Sequence, residues 1–414
     1  MNGFGARNSY HSGMPLPFAV KTAKQKVIVD TELTCQGHPL LKKGLALPRS
    51  TSFEISPQEL FGIATLRTQS PETGNHTFKE CAKGWQHMLG TYIKYLDVQS
   101  NLLAAKVVDE QLRDVSELVG IAYGIKALTT EFDVEINRIT RFSPKKKKKR
   151  VDFEFTTKDN RRYFHETKGT INDKGVAKLR EAILKQKQST KSILQSAVPA
   201  ASGAGYTGSI AVYPHVKKPM TSCKVFLVDP PPDALITVPI SPNEELISVL
   251  RYYQNFYSVT HRNVIGELSL SRWLFDVIAD LKAGLRPPTQ PPPNLISNGR
   301  QAEPDREDSP YKGTTFDART TLQAAKHFKS FDDATETLLT PVYFVGISDE
   351  VTSLIRDCRW KELLAFRDLD QTSTDRRDGA VLSSGVLVHF LGPQTNQFEA
   401  SQRLFFELLK KRFG

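Results

Sequence analysis

Two short runs of alternating apolar and polar residues sit side by side in the stretch Arg150 to Thr170, RVDFEFTTKDNRRYFHETKGT. Alternation of period two puts successive side chains on opposite faces of an extended strand. In the first run Val151, Phe153 and Phe155 alternate with Asp152 and Glu154. In the second, Phe164, Glu166 and Lys168 share one face, and Tyr163, His165 and Thr167 share the other. Asp159-Asn160 supplies a tight turn between them, so the pattern predicts a β-hairpin. Antiparallel pairing through that turn gathers Asp152, Glu166 and Lys168 at one end. Two carboxylates and an amine there can hold a divalent cation and polarise a water.

An Asp followed 14 residues later by Glu-x-Lys is by itself a common accident. It is equally what a solvated amphipathic hairpin would carry. The setting adds weight: a helical segment and a strand precede the hairpin, and a basic helix and another strand follow it. Asp114 to Ala127 reads as the preceding helix, with Val115, Leu118, Val119, Ile121, Ala122 and Ile125 apolar around much of its circumference. Asp133 to Phe142 alternates as the strand leading in, and DKGVAKLREAILKQKQSTKSILQS after Thr170 as the basic helix.

That order, with an Asp on one strand and Glu-x-Lys on the next, resembles the core of the PD-(D/E)xK, or restriction-endonuclease-like, nuclease superfamily. The resemblance covers roughly Val115 to Val228, about a quarter of the chain, and Val151 stands where the family motif carries Pro. It implies an α/β (α+β) fold: a restriction-endonuclease-like central mixed sheet flanked by helices. It also implies that Asp152, Glu166 and the Thr167 backbone carbonyl hold Mg²⁺ (or Mn²⁺), and that Lys168 is catalytic. Glu117 would be a further acidic residue on the preceding helix; on its own evidence it is either a site carboxylate or a polar rim residue. Lys178, on the following helix, is the residue expected to reach the site or the DNA. The implied activity is metal-dependent hydrolysis of phosphodiester bonds in DNA. The alternative is a nucleic-acid-binding subunit on a nuclease-like fold that does not cut.

Charge points to the same partner. Formal net charge is +11, and the window from Arg138 to Ser196 alone carries 18 Lys and Arg against 6 Asp and Glu, a net of +12. A polyanion needs such a patch, and binding through it weakens with salt. DNA is the expected polyanion, with RNA left open. The densest part is Lys145, Lys146, Lys147, Lys148, Lys149 and Arg150, directly ahead of the first hairpin strand. A nuclear-targeting tag has the same composition. Its place between two core strands favours phosphate contact.

The four cysteines, Cys35, Cys81, Cys223 and Cys358, form no C-x-x-C pair. That pattern argues against a zinc knuckle or disulfide framework and for a reducing, cytoplasmic setting, or a nuclear one if the basic run is a tag. Oxygen ligands without a Cys or His cluster favour Mg²⁺ or Mn²⁺ over zinc. No apolar run has the length of a membrane span, and the start lacks a signal-peptide layout. With no phosphate-binding G-x-x-x-x-G-K-[ST] loop, any motor in a restriction or anti-phage defence system would be a separate helicase or ATPase chain. Gly203, Gly205 and Gly208 spell G-x-G-x-x-G but follow a helix and precede a strand, so a flexible loop is expected there rather than a dinucleotide site.

Four regions are expected. Residues 1–110 form a mainly helical N-terminal region, in which KVIVDTELTC is a possible strand, SPQELFGIATLRT a capped helix, and the stripe around Trp85 and His87 core packing. Residues 111–285 hold the nuclease-like domain, strands Ser209–Tyr213 and Lys224–Val228, and helices Pro242–His261 and Glu267–Ala283. The aromatics interleaved with Arg251, His261 and Arg262 could stack on unpaired bases, though core packing explains them better. Residues 286–320, containing PPTQPPP, read as a Pro-rich polar linker or insertion. Residues 321–414 form a C-terminal α/β region, with strands Val342–Ile347 and Gly385–Leu391 and helices Ser353–Ala365 and Phe398–Lys411. That region is either an accessory domain or the far half of one sheet. Its acidic residues Asp332, Asp333, Asp368 and Asp370 are expected in solvated loops.

Overall fold

The structure is a computed structural model, and it describes residues 24–36, 38, 40–41, 44–68, 96–97, 104–105, 112–141, 151–157, 161–197, 205–213, 223–228, 241–260, 268–296, 301–302, 308–316, 343–367 and 379–390. The hairpin forms as its alternation dictates. Strand β4 (Phe153–Thr156) pairs antiparallel with β5 (Arg162–Thr170), with Phe153 across from His165 and Thr156 across from Arg162. The Thr157 N–H donates to Arg161 O at 3.0 Å to close the hairpin. The turn at Asp159-Asn160 lies outside the described residues. Val151, Phe153 and Phe155 are buried, and Asp152 and Glu154 between them are not.

Around the hairpin the chain builds a mixed seven-stranded sheet. It uses β1 (Gln25–Thr31), β2 (Arg49–Ile55), β3 (Ile139–Arg141), β6 (Gly205–Val212) and β7 (Cys223–Val228), in the order β2-β1-β7-β6-β5-β4-β3. β5 runs parallel to β6, and β1 parallel to β7; the other neighbours are antiparallel. Helices flank it: α1 (Pro57–Ala64), α2 (Leu112–Phe132) and α3 (Val176–Ala197). α1 starts where the Ser-Pro pair predicts, with Ser56 Oγ accepting from the Glu59 N–H at 3.0 Å. Two expectations change. The expected strand Asp133–Phe142 is cut, among the described residues, to Ile139–Arg141: Asp133 adopts a positive φ of 51°, and Ile136–Arg138 forms a 3-10 turn. The expected helical character of residues 1–110 is only partial, since β1 and β2 belong to the same sheet as the hairpin.

Gly205 and Gly208 are strand residues of β6, not a loop, and Gly203 lies outside the described residues. A Cβ on Gly208 would come within 2.9 Å of Ile183 on α3, and one on Gly205 would overlap the Tyr163 ring. Their missing side chains let neighbours pack close.

A second sheet stacks behind the first. β8 (Tyr311–Phe316), β9 (Tyr343–Ser348), β11 (Val386–Phe390) and β10 (Gly379–Leu382) are joined in that order, all antiparallel, with Gln301–Ala302 pairing on β8. α4 (Pro242–Thr260) lies between the sheets, touching β3 and β4 on one side and β8 and β9 on the other. Its Leu246, Leu250, Tyr253, Phe256 and Tyr257 are buried, as the periodicity predicts. Tyr252 OH meets Ser384 Oγ at 2.7 Å, Tyr253 OH donates to Ser384 O at 3.0 Å, and Tyr257 OH meets Thr352 Oγ1 at 3.0 Å. One hydrophobic core runs from Val27 through Phe61 and Tyr253 to Val388. The C-terminal segment is therefore a second layer on a shared core.

The stretch 286–320 is not a plain linker. Tyr311–Phe316 is a strand, and Pro288 O accepts from Trp360 Nε1 at 2.7 Å, which pins the proline run to the fold. α5 (Leu270–Lys282) packs Trp273 against Trp360. The expected helix Ser353–Ala365 splits into α6 (Asp349–Arg356) and α7 (Trp360–Ala365), because Cys358 takes a left-handed turn at φ 55°. Cys35, Cys223 and Cys358 are free thiols. Among the described residues no helix is long and apolar enough to cross a membrane. The Trp85 stripe with His87, His261 and Arg262, the helix Phe398–Lys411, and Asp332, Asp333, Asp368 and Asp370 lie outside the described residues.

Candidate active site

The antiparallel register carried one step past Phe153 and His165 sets Asp152 across from Glu166. β5 then decides the faces. Phe164, Glu166 and Lys168 look toward α3, while Tyr163, His165 and Thr167 look toward α2. α3 continues from a turn capped by Asn172, whose side chain accepts from the Gly175 N–H at 3.0 Å. That start leads the helix back along the sheet, and Gln186 comes within hydrogen-bonding reach of the Glu166 carboxyl.

α2 is drawn onto β5 by glycines. A Cβ on Gly120 would sit 2.9 Å from the Lys168 carbonyl carbon, and one on Gly169 would collide with the Ser116 carbonyl. This backbone-to-backbone approach brings Glu117 alongside Lys168, close enough for its charge to act on the ammonium. Glu117 Oε1 also stands 3.9 Å from Arg141 Nη2 at the end of β3. Glu117 thereby lies between the Lys168 ammonium and the Arg141 guanidinium.

Four charged side chains therefore converge. Glu166 is completely buried, and Lys168 Nζ forms an ion pair with its Oε1. Neither Glu166 oxygen completes a hydrogen bond of regular geometry, although Lys168 and Gln186 are within reach. Burial, and then the negative charge of Asp152, push the Glu166 carboxyl well above the ordinary carboxylate range against the pull of Lys168. Burial works against the Lys168 charge, but Glu166, Asp152 and Glu117 outweigh it and hold the ammonium above its ordinary range. Asp152 is anchored: its Oδ2 accepts from the Thr167 N–H at 3.1 Å and the Thr167 hydroxyl at 3.0 Å.

A hard divalent cation fits this arrangement. A buried carboxylate short of hydrogen bonds, faced by a second carboxylate, is relieved by positive charge. Among the described residues no three His, Cys, Asp or Glu side chains close around one point, so Asp152 and Glu166 would need water and backbone oxygen to complete the shell.

Set against protein-family models, curated proteins and solved structures, the chain matches none of them.

Thr167, expected to lend its carbonyl, is seen to orient Asp152 through two hydrogen bonds, a role that spacing alone did not suggest. Lys178 is not brought to Glu166. It lies exposed on α3, eight residues or about 12 Å of helix before Gln186. Gln186 and Arg141 are the site neighbours missed in the sequence; the signal for Arg141 was its place at the end of the strand that leads into the basic run. Lys145 to Arg150 lie outside the described residues; Arg141, before that segment, ends β3, and Val151, after it, is two residues ahead of β4. Arg251 pairs with Glu154 at 3.1 Å, and the aromatics beside it, Tyr252, Tyr253, Phe256 and Tyr257, are buried in the core. His165, next to Glu166, points to the other face, where its Nε2 meets Ser209 Oγ at 3.0 Å.

Proposed function

We propose that the protein is a metal-dependent endonuclease that hydrolyses phosphodiester bonds in DNA, on a restriction-endonuclease-like fold. The observation that carries this reading is Asp152 set across from a fully buried Glu166, with Lys168 ion-paired to Glu166. The basic window supplies the affinity for a polyanion, and its described residues lie on β3, β4, β5 and α3.

Asp152 and Glu166 would hold Mg²⁺ or Mn²⁺, which lowers the pKa of a bound water and offsets charge on the phosphoryl oxygens. The residues of the chain divide the remaining work. Thr167 fixes the Asp152 carboxylate in one orientation, which preorganises it before any ligand arrives. Lys168 keeps its proton at neutral pH, so it serves as a charge stabiliser and a donor to the attacked phosphate rather than as a general base. Burial of Glu166 excludes bulk water from the floor of the site and strengthens each charge interaction there.

Incubation of the purified chain with linear, circular and single-stranded DNA, in Mg²⁺ and in EDTA, tests the reading. Cleavage that needs Mg²⁺ and disappears in Lys168→Ala is expected. Salt-sensitive binding with no turnover in any metal would replace it with a non-cutting nucleic-acid-binding subunit.

A further inference from the structure

We propose that Arg251 of α4 is a substrate-binding residue of this site, holding a phosphate of the bound strand beside the one that is cut. The inference rests on the nuclease reading and goes beyond it by assigning a substrate contact to a helix outside the hairpin.

Alternation along β4 puts Glu154 on the same face as Asp152. The register sets Glu154 across from Phe164, on the face that β5 shares with Glu166 and Lys168. Two residues of strand, about 6.7 Å, separate Glu154 from Asp152. Arg251 Nη1 donates to Glu154 Oε1 at 3.1 Å, so the guanidinium stands on the face that carries the cluster, beside Asp152.

This guanidinium is anchored and still has donors to give. Glu154 is its partner among the described residues, and it takes an N–H of Nη1 alone. The donors on Nε and Nη2 are left over, in a planar fork that suits the two free oxygens of a phosphodiester. Arg251 therefore binds a phosphate without giving up Glu154. Its side chain is 22% exposed, close to the 25% of Lys168, while Glu166 is 0% exposed. On this face Asp152, Glu154 and Glu166 repel DNA, and Lys168 is engaged with Glu166. Arg251 is the second cation that the face offers a polyanion.

The bland alternative is a structural tie between α4 and the hairpin. Such a tie already exists toward the hairpin turn, where Arg162 Nη2 donates to Glu244 Oε1 at 2.5 Å. A tie also makes the two members of a pair equivalent, whereas a phosphate contact needs only the cation.

That difference is measurable. Affinity is read over a range of salt, with Ca²⁺ in place of Mg²⁺, for a short fluorescent duplex and for its single strand. On the form that wild type binds, Arg251→Ala should lose about tenfold, and the slope of log affinity against log salt should fall by about one. Arg251→Lys should keep the slope but not the full affinity. Glu154→Gln breaks the same ion pair and keeps the cation, so it should bind at least as tightly as wild type with the same slope. Glu244→Gln, which cuts the other tie, should bind as wild type does. Equal losses in Arg251→Ala and Glu154→Gln would mean a tie and overturn the proposal. If Arg251→Ala does not fold, Arg251→Lys and Glu154→Gln carry the test, and wild-type affinity in Arg251→Lys overturns it. A wild-type protein that binds and cuts DNA while Arg251→Ala keeps its affinity and slope overturns this inference alone. A wild-type protein that neither binds nor cuts DNA overturns the nuclease reading and this inference with it.

Discussion

Thr167 holds Asp152 by two hydrogen bonds to a single carboxylate oxygen, the backbone N–H at 3.1 Å and the hydroxyl at 3.0 Å. Oδ2 is thereby fixed by two donors from one residue. Thr167→Val keeps the shape and the N–H but removes the hydroxyl. One hydrogen bond to a charged group contributes about 1.5 kcal/mol, or roughly tenfold in an equilibrium. The variant should fold normally and need more Mg²⁺ for half-maximal cleavage, read from a metal titration. An unchanged titration would mean that the hydroxyl does not orient Asp152.

Glu166→Gln separates stability from function. Burial and Asp152 both oppose the Glu166 charge, so without metal a neutral amide of the same shape should leave the melting temperature level or raise it. Wild type should gain thermal stability when Mg²⁺ is added, by about 2.7 kcal/mol at a hundredfold excess over Kd. Chelation should remove that gain, and Glu166→Gln should show none of it. Calorimetry with and without EDTA reads both effects.

Gly169→Ala tests how α2 is seated. The new methyl would meet the Ser116 carbonyl, which is helix backbone and cannot swing aside as a side chain would. Overpacking of this kind costs about 1–3 kcal/mol. The helix should move away from β5 and carry Glu117 with it. A drop in urea midpoint together with weakened cleavage is expected; loss of stability with full activity would show that Glu117 is dispensable.

The hairpin and its site were legible because they depend on period-two alternation and on a short turn, both local properties. Asp152, Glu166 and Lys168 needed no long-range information to be placed together. Gln186 did not show itself because its approach depends on where a helix after β5 returns, which is set by the Asn172 turn and by Ile183 packing over Gly208. The breadth of the sheet was hidden for a similar reason. β1 pairs with β7, nearly two hundred residues later, so KVIVDTELTC is an isolated apolar run until that partner is known. Asp133 and Cys358 broke expected elements through positive φ, which neither residue type announces. The prolines of 287–293 looked like a spacer because composition does not reveal that Trp360 donates to Pro288 O.

Two buried histidines make stability pH-dependent. His165 is held down to about 3 by burial, and His38 to about 4, mainly by burial. Both stay neutral in the folded chain while the unfolded chain takes up protons near 6.5. The unfolded state therefore binds more protons below that value, and stability rises with pH across the window from about 4 to 6.5. It is complete above 6.5 and is lost as pH falls, by about 1.4 kcal/mol per pH unit for each histidine. Urea midpoints at pH 7 and pH 5 should differ accordingly, and His38→Gln should flatten part of the difference.

The link between the two sheets depends on Arg138. Its Nε donates to Glu135 Oε2 at 3.1 Å, its Nη1 pairs with Glu245 and donates to Thr157 O at 3.3 Å, and its Nη2 donates to Leu364 O at 3.1 Å. Thr157 closes the hairpin that carries the site, and Leu364 belongs to α7 of the C-terminal layer. Arg367 holds the other oxygen of Glu135 at 2.7 Å. Arg138→Met fills much of the space but strands the buried Glu245 carboxylate and two carbonyls. Removing one partner of a buried ion pair costs about 3–5 kcal/mol. Arg367 can still neutralise Glu135, so the loss should lie toward the lower figure. The double change Arg138→Met with Glu245→Leu should recover part of it, since the stranded charge is then gone. Urea unfolding of the single and double variants measures this, and a double variant no more stable than the single would place the cost in the lost carbonyl contacts instead.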